Sequence, residues 1–124
     1  MIMVGESVGK GRGVFARGKI LKDQRIEEAP VVVVPAAEVK FLDKTVLQDY
    51  YFLWGEAKEQ AAVLLGLCSF CNHSYKPNAI FKRKPESLTI EFVALRDIEA
   101  GEEVTINYNG DPESQEPVWF DALP

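Results

Sequence analysis

The feature that most limits the fold of this chain is a series of short segments rich in β-branched and aromatic residues, each bounded by turn-forming residues. Such segments favour strands because branched and aromatic side chains pack well on a pleated surface. The segments are Val14 to Ala16, Ile26 to Val34, Ala79 to Lys82, Leu88 to Leu95 and Val104 to Tyr108. The sequence therefore predicts a mostly β architecture with few, short helices.

Two stretches are candidates for those helices. Pro35 to Asp43 begins with a proline that suits a first helical turn, and Ala57 to Leu67 consists of strong helix formers. Pro30 and Pro35 bracket four valines, Val31 to Val34, which we expect to form a short buried or edge strand.

A weak internal repeat relates Ile20 to Ile26 with Ile98 to Val104. In each copy a turn-forming residue, Asp23 or Gly101, stands three residues after an aliphatic residue and three before another. Each copy predicts a tight turn that leads into a strand. The 124 residues contain no low-complexity linker, so we expect one small domain.

The charge is unevenly spread along the chain. Fourteen Lys and Arg against 19 Asp and Glu give a net charge of −5. Residues 97–124 hold eight acids and no Lys or Arg, so residues 1–96, with 14 basic and 11 acidic side chains, carry +3. An acidic protein is a poor direct binder of nucleic acid phosphates, whereas basic partners suit it. The acidic segment is either a solvated surface or a wall that faces a cationic substrate.

No secretory pattern opens the sequence, because Gly5 and Glu6 follow the first apolar residues at once. The longest apolar stretch, Ala61 to Cys68, is much shorter than the roughly 20 residues of a membrane span. These observations predict an intracellular protein without a membrane partner. Two cysteines in a reducing compartment predict no disulfide framework.

Three segments could carry chemistry. The glycine cluster from Gly9 to Ala16 lacks the spacing of a phosphate-binding loop, so a hairpin turn is the simple interpretation. Cys68 and Cys71 lie near the single histidine, His73, which leaves too few ligands for zinc; buried, inert thiols are expected, and no metal site. Tyr108 ends a predicted strand, where a tyrosine commonly serves packing.

In this order the three segments resemble the SET domain family of protein lysine methyltransferases. Lys10 to Ala16, Phe70 to Asn78 and Asp97 to Tyr108 match in order and spacing the family patterns G-x-G, N-H-S-x-x-P-N and G-E-E-L-x-x-x-Y. The match spans almost the whole chain, whose size resembles the compact viral and bacterial members. The resemblance implies several small sheets with a pseudoknot, in which the N-H-S segment and the final strand thread together.

The resemblance also implies S-adenosylmethionine as methyl donor and a lysine of a basic, histone or histone-like protein as acceptor. Tyr108 matches the catalytic tyrosine, and Tyr50 resembles a second catalytic tyrosine of the lysine channel, with Tyr51 as its rival. The implied donor-binding residues are Lys10, Gly11, Arg12, Gly13, Asn72, His73, Trp119 and Phe120. The implied substrate channel consists of Tyr50, Tyr51, Phe52, Ile106 and Tyr108. Residues 1–108 would form the SET domain, and residues 109–124 a C-terminal segment that closes the cofactor and lysine site.

The sequence departs from the family at three places. Tyr75 stands where fuller members have a zinc-binding cysteine, and no cysteine follows Cys71, so a zinc-bearing closing module is not expected. We expect Trp119 and Phe120 to fold back, stack on the adenine and cap the channel. Ile106 stands where many members have a Phe or Tyr that sets the number of methyl groups added, so that number stays open.

The implied chemistry is physically reasonable. Only a neutral amine attacks a sulfonium methyl, and at pH 7 about one free lysine in 2,500 is neutral, because the lysine pKa is about 10.4. An aromatic channel lowers that pKa by desolvation, and the nearby positive sulfonium lowers it further. Two rivals remain: an inactive SET-fold module that binds a lysine-rich partner, and a thiol-based redox or metal protein. A homodimer is compatible with the sequence, and a eukaryotic source would imply a nuclear rather than a cytoplasmic location.

Overall fold

The structure is a computed structural model in which residues 1–118 are described. Within these residues the chain forms mainly short strands. The strands are β1 (Ile2–Ser7), β2 (Gly11–Ala16), β3 (Arg25–Val34), β4 (Phe52–Trp54), β5 (Gln60–Leu64), β6 (Asn72–His73), β7 (Ala79–Lys84), β8 (Thr89–Ala94) and β9 (Glu103–Ile106). One helix, α1 (Ala36–Leu42), and two 3₁₀ turns, Val46–Asp49 and Leu67–Phe70, connect them. The mostly β prediction, with several small sheets, is confirmed.

The first sheet has the strand order β1-β2-β9-β6. Its first two strands form an antiparallel hairpin; Gly9 in the turn and Gly11 at the start of β2 both lie in the left-handed region, at φ 77°. The last two strands run parallel, with Asn72 beside Thr105 and His73 beside Ile106. The N-H-S segment is therefore hydrogen-bonded to the final strand, as the resemblance implied.

The second sheet has the order β4-β5-β3-β8-β7. Pro30 lies in β3 at the point where the partner changes: Arg25 to Pro30 pair with β8, and Val31 to Val34 pair with β5. A proline suits this junction because it has no N–H to donate to a continuous ladder. The four valines thus form the second half of a longer strand.

Buried aliphatic and aromatic side chains join the two sheets. Phe92 and Ile90 from the second sheet and Val104 and Ile106 from the first have no exposed surface. Complete burial of such a side chain favours folding by about 1.5 to 3 kcal/mol. These contacts hold β9, and with it the strand end that leads to Tyr108, against the body of the protein.

The internal repeat has a structural counterpart. Ile20 and Ile98 form an isolated antiparallel bridge, in which each N–H donates to the carbonyl of the other at 2.8 Å. The expected turn residues, Asp23 and Gly101, both adopt positive φ, 69° and 84°. The two repeats therefore pair with each other, and both isoleucines are fully buried.

The prediction of a helix at Ala57 to Leu67 is wrong. This stretch contains β5, which pairs with β4 on one side and with Val31 to Val34 on the other. Ala61 and Ala62 are fully buried there. Small residues with high helix propensity form a strand because pairing on both sides outweighs intrinsic propensity. The other expected helix is confirmed, since α1 starts after Pro35.

Candidate functional site

Tyr108 follows the strand that runs parallel to the N-H-S segment, and this pairing brings it to His73. The backbone N–H of Tyr108 donates to His73 Nδ1 at 3.0 Å, and the two ring centroids are 5.3 Å apart. Burial, together with the positive charge of Lys10, lowers the pKa of His73. A neutral imidazole keeps Nδ1 available as the acceptor that fixes the backbone of Tyr108.

The hydroxyl of Tyr108 is directed at a backbone carbonyl. It donates to the Cys71 oxygen at 2.6 Å. Burial is the main reason why the pKa of Tyr108 lies well above its usual value, and the nearby carboxylates of Glu103 and Asp49 add a smaller effect. The phenol is therefore protonated at neutral pH, so it can hold and orient a group but cannot act as a base.

A cleft opens beside Tyr108 and encloses about 460 Å³, part of it open to solvent. Half of its lining residues are aromatic. The lining combines residues from the segment before β4, from β4 and β7, from the stretch just before Asn72, and Tyr108 after β9. The lining residues are Asp49, Tyr50, Tyr51, Phe52, Leu53, Ser69, Cys71, Phe81, Arg83 and Tyr108. The structure thus brings together four of the five residues expected in a substrate channel.

Ile106 is the fifth, and it lies elsewhere. Its side chain has no exposed surface and belongs to the hydrophobic core. The cleft lining in residues 1–118 does not include it. The Ile106 side chain therefore packs in the hydrophobic core and does not line the cleft.

Tyr50 and Tyr51 both line the cleft but differ in their partners. Tyr51 donates to Asp43 Oδ1 at 2.8 Å, and burial together with this bond raises the pKa of Tyr51 to about 12. Tyr50 packs edge-on against Phe70, with 5.5 Å between the ring centroids. The structure therefore places both phenols in the cleft, with Tyr51 bonded to Asp43 and Tyr50 in an aromatic contact.

The glycine segment adjoins the same region through Asn72. The side-chain amide of Asn72 donates to the Arg12 carbonyl at 3.1 Å and to Glu103 Oε2 at 2.8 Å. Glu103 also accepts from Ser7 Oγ at 2.9 Å. The three sequence motifs therefore meet at one side-chain amide, that of Asn72.

The main chain of the glycine segment is open to a ligand. A Cβ placed on Gly11 would meet nothing within 4 Å, and the residue has positive φ. The Arg12 guanidinium lies 4.4 Å from the centre of the Phe70 ring. Accessible backbone groups, the cations Lys10 and Arg12, and nearby aromatic rings suit a ligand with a carboxylate and an adenosine part, which is the composition of S-adenosylmethionine.

Sequence reasoning missed several residues that shape this region. Glu103 was visible as part of the G-E-E pattern, but its bonds to Ser7 and Asn72 depend on the sheet order. Glu27 accepts from the backbone N–H groups of Leu67 and Cys68, and so caps the 3₁₀ turn that leads to Cys71. No local pattern links residues 40 positions apart. Trp119 and Phe120 lie outside the described residues.

The two cysteines are buried and free of a disulfide, as expected. A hydrogen bond with Cys71 and burial raise the pKa of the Cys68 thiol. Thiols held in the protonated form are poor nucleophiles and poor metal ligands. Within residues 1–118, no three His, Cys, Asp or Glu side chains cluster as metal ligands, and no helix is long and apolar enough to cross a membrane. The Tyr108 hydroxyl is bonded to the backbone carbonyl of Cys71.

The sequence profile of the SET domain family matches residues 11–109. The chain belongs to the SET domain family. This SET domain is a protein-lysine N-methyltransferase, and its methyl donor is S-adenosylmethionine. The matched range begins in the glycine segment, includes the N-H-S segment and ends one residue after Tyr108.

Curated relatives of this SET domain are eukaryotic. It is 35% identical over 113 residues to the histone-lysine N-methyltransferase of Schizosaccharomyces pombe described as H3 lysine-37 specific, covering 90% of this chain and 71% of that protein. It is 34% identical to the H3 lysine-36-specific enzyme of Saccharomyces cerevisiae, covering 82% of this chain but only 15% of that protein. These two relatives are fungal, whereas the size of the chain resembles that of compact viral and bacterial members.

The fold has solved counterparts. A chain of the Chaetomium thermophilum Polycomb repressive complex 2, in an autoinhibited conformation bound to S-adenosylmethionine, superposes with a TM-score of 0.72 at 25% identity. The match covers 86% of this SET domain and 15% of that chain. This SET domain is thus similar to a small part of a much larger protein.

Proposed function

We propose that this SET domain transfers methyl groups to a lysine of a histone or histone-like basic protein, with Tyr108 and Tyr50 as its catalytic residues. Relatives named for lysines of histone H3 support the substrate class. For a eukaryotic source, this substrate makes a nuclear location the expected one.

One observation carries the proposal: the Tyr108 hydroxyl, bonded to the Cys71 carbonyl, lies in a cleft walled by tyrosine and phenylalanine. A lysine side chain is a long apolar stem with an amine at its tip. Aromatic walls bury the stem, and the hydroxyl and carbonyl oxygens offer hydrogen-bond partners to the amine. The cleft thus suits a lysine better than a short or anionic side chain.

The aromatic residues of the cleft lower the pKa of a bound lysine by desolvation. A free lysine has a pKa of about 10.4, and its transfer into an aromatic cleft favours the neutral amine. Because the raised pKa of Tyr108 keeps its own proton in place, the lysine proton leaves to water before the cleft closes. When bound, S-adenosylmethionine supplies a sulfonium methyl group; Tyr108 and Tyr50 orient the amine, which is catalysis by positioning.

The donor would lie against Lys10 to Gly13, Asn72 and His73. Support comes from the open backbone at Gly11 and from the Asn72 bond that joins the glycine segment to the N-H-S segment. In the same proposal residues 1–108 form the catalytic body and residues 109–124 close the site, with Trp119 and Phe120 stacking on the adenine and capping the channel.

The test is a methyl-transfer assay on recombinant histone H3, read by mass spectrometry. The wild type should add methyl groups to lysine, and Tyr108→Phe should lower kcat/KM by about a hundredfold, because it removes the oriented hydroxyl. Cys71→Ser keeps the backbone carbonyl and serves as the matched control, with activity largely retained. Equal rates for wild type and Tyr108→Phe would remove Tyr108 from its role.

A second candidate is an inactive module of the same fold that binds a lysine-rich partner. Calorimetric titration with S-adenosylmethionine separates the two, because the enzyme must bind the donor and the module need not. Failure of purified protein to bind the donor would overturn the enzyme proposal. A large loss of methyl transfer in Cys71→Ser would instead support the thiol-based alternative.

A further inference from the structure

Three hydrogen bonds fix the segment that follows Tyr108. The Glu116 carbonyl accepts from the Tyr75 hydroxyl at 3.0 Å and from Asn109 Nδ2 at 2.8 Å. The Ser114 carbonyl accepts from Asn107 Nδ2 at 2.9 Å. Because all three bonds end on backbone oxygens, they hold the path of the segment whatever its side chains are. We call Tyr75, Asn107 and Asn109 the tail clasp.

Two members of the tail clasp are the immediate neighbours of Tyr108. Asn107 is buried, with 2% of its surface exposed, and its Oδ1 accepts from the backbone N–H of Asn109 at 3.0 Å. The same amide therefore holds the tail on one side and the turn after Tyr108 on the other. Displacement of the tail would remove one side-chain hydrogen bond from each neighbour of Tyr108.

The third member, Tyr75, contacts the proposed donor site. Its ring packs edge-on against His73, with centroids 4.4 Å apart and an interplanar angle of 88°. Lys10 lies near enough for its charge to lower the pKa of His73. Tyr75 thus joins the tail to the residues proposed to bind S-adenosylmethionine.

We propose that Tyr75 is a positioning residue for donor binding: its hydroxyl holds the Glu116 carbonyl while its ring packs on His73, and this completes that side of the donor site. The inference rests on the proposed function. Tyr75 occupies the position at which fuller members of the family carry a zinc-binding cysteine.

The test compares wild type with Tyr75→Phe, which keeps the ring on His73 and removes only the hydroxyl. Hydrogen–deuterium exchange without donor should be about fivefold faster at the amides of residues 113–116, because the clasp loses one bond. Calorimetric titration should give a Kd for S-adenosylmethionine about fivefold weaker. In the assay the KM for the donor should rise by a similar factor, while kcat stays within about twofold.

Ser87→Ala is the matched control, because it also removes an exposed hydroxyl, here one bonded to Thr89 Oγ1 at 2.8 Å, away from the tail. It should change neither exchange nor Kd. Unchanged tail exchange in Tyr75→Phe would overturn the clasp, and faster exchange with an unchanged Kd would overturn the link to the donor. If the wild type binds no donor, the proposed function and this link fail together, while the exchange comparison still decides whether Tyr75 holds the tail.

Discussion

The space beside Gly13 is closed by two polar side chains from different motifs. A Cβ at this position would lie 2.5 Å from Glu103 Oε2 and 2.9 Å from Asn72 Nδ2, two groups that are bonded to each other. Gly13→Ala must displace that bond, so we expect it to lower the free energy of unfolding by about 1 to 3 kcal/mol in urea denaturation.

Gly18 provides the control for this substitution. A Cβ on Gly18 would meet nothing within 4 Å, and its φ is not in the left-handed region. Gly18→Ala should therefore change the free energy of unfolding by less than about 1 kcal/mol, in either direction. Equal losses in the two variants would show that the contact with Glu103 is not the cause.

His73, the single histidine of the chain, makes stability depend on pH. Its pKa is lowered in the folded protein by burial and by Lys10, so the unfolded chain binds the proton first as the pH falls. Stability should be fully present above about pH 6.5 and should be lost as the pH falls from there toward the lowered pKa, with a slope of at most about 1.4 kcal/mol per pH unit.

Urea denaturation of wild type and His73→Asn across this pH range checks the prediction. Asparagine can still offer an oxygen to the Tyr108 N–H, but it does not titrate. The variant should therefore lose less stability than the wild type between pH 7.5 and pH 5.5. Parallel pH profiles would assign the acid sensitivity to carboxylates instead.

At the scale of elements, the capped 3₁₀ turn Leu67–Phe70 determines where the Cys71 carbonyl lies. Glu27 accepts from Leu67 N–H at 3.1 Å and from Cys68 N–H at 2.9 Å. Glu27→Ala should lower the free energy of unfolding by about 1 to 2 kcal/mol, because two backbone donors lose their acceptor. It should also slow methyl transfer, because the Cys71 carbonyl, which accepts the hydrogen bond of the Tyr108 hydroxyl, directly follows this turn.

Glu27→Gln retains one acceptor oxygen and should recover part of both losses. Glu38→Ala, an exposed change in α1, is the control and should stay within about 0.5 kcal/mol of wild type. The measurements are urea denaturation and the histone H3 assay. A Gln variant as impaired as the Ala variant would indicate that the negative charge, rather than the capping bonds, matters at this position.

Glu27 also illustrates what the sequence can and cannot predict. The glycine segment, Asn72, His73 and Tyr108 were identifiable because each stands in a short pattern whose spacing is local. Glu27 and the Ala57 to Leu67 stretch depend on partners far away in the sequence: β5 is a strand only because β3 and β4 lie on either side of it. Local propensity contains no information about such partners.

At the scale of the whole molecule, the structure divides the acids of residues 97–118 into two groups. Four interact with the body of the protein: Asp97 and Glu99 lie 3.8 and 3.7 Å from Lys19 Nζ, Glu102 pairs with Arg96, and Glu103 accepts from Asn72. The acids of the tail, Asp111, Glu113 and Glu116, lie in the segment that the tail clasp holds. Fewer acids are thus available to attract a basic substrate than the eight counted in the sequence of residues 97–124.

This division predicts which acids attract the substrate. Exposed charges act over about 10 Å at 0.1 M salt, so added salt should raise the KM of a basic H3 peptide if the tail acids steer it. Asp111→Asn, Glu113→Gln and Glu116→Gln together should raise KM at low salt by about threefold to tenfold and flatten its salt dependence. Their backbone carbonyls, and with them the tail clasp, are unchanged.

Asp97→Asn is the control for this salt titration. It removes a charge that already lies near Lys19 and keeps an oxygen that can accept the Lys22 N–H, so the salt dependence of KM should match that of the wild type. If the triple tail variant and Asp97→Asn have the same slope as the wild type, the acids serve solvation only, and attraction of a basic substrate must come from the cleft itself. If the tail variant alone flattens the slope, the segment that the tail clasp holds beside the proposed donor site also attracts the basic substrate.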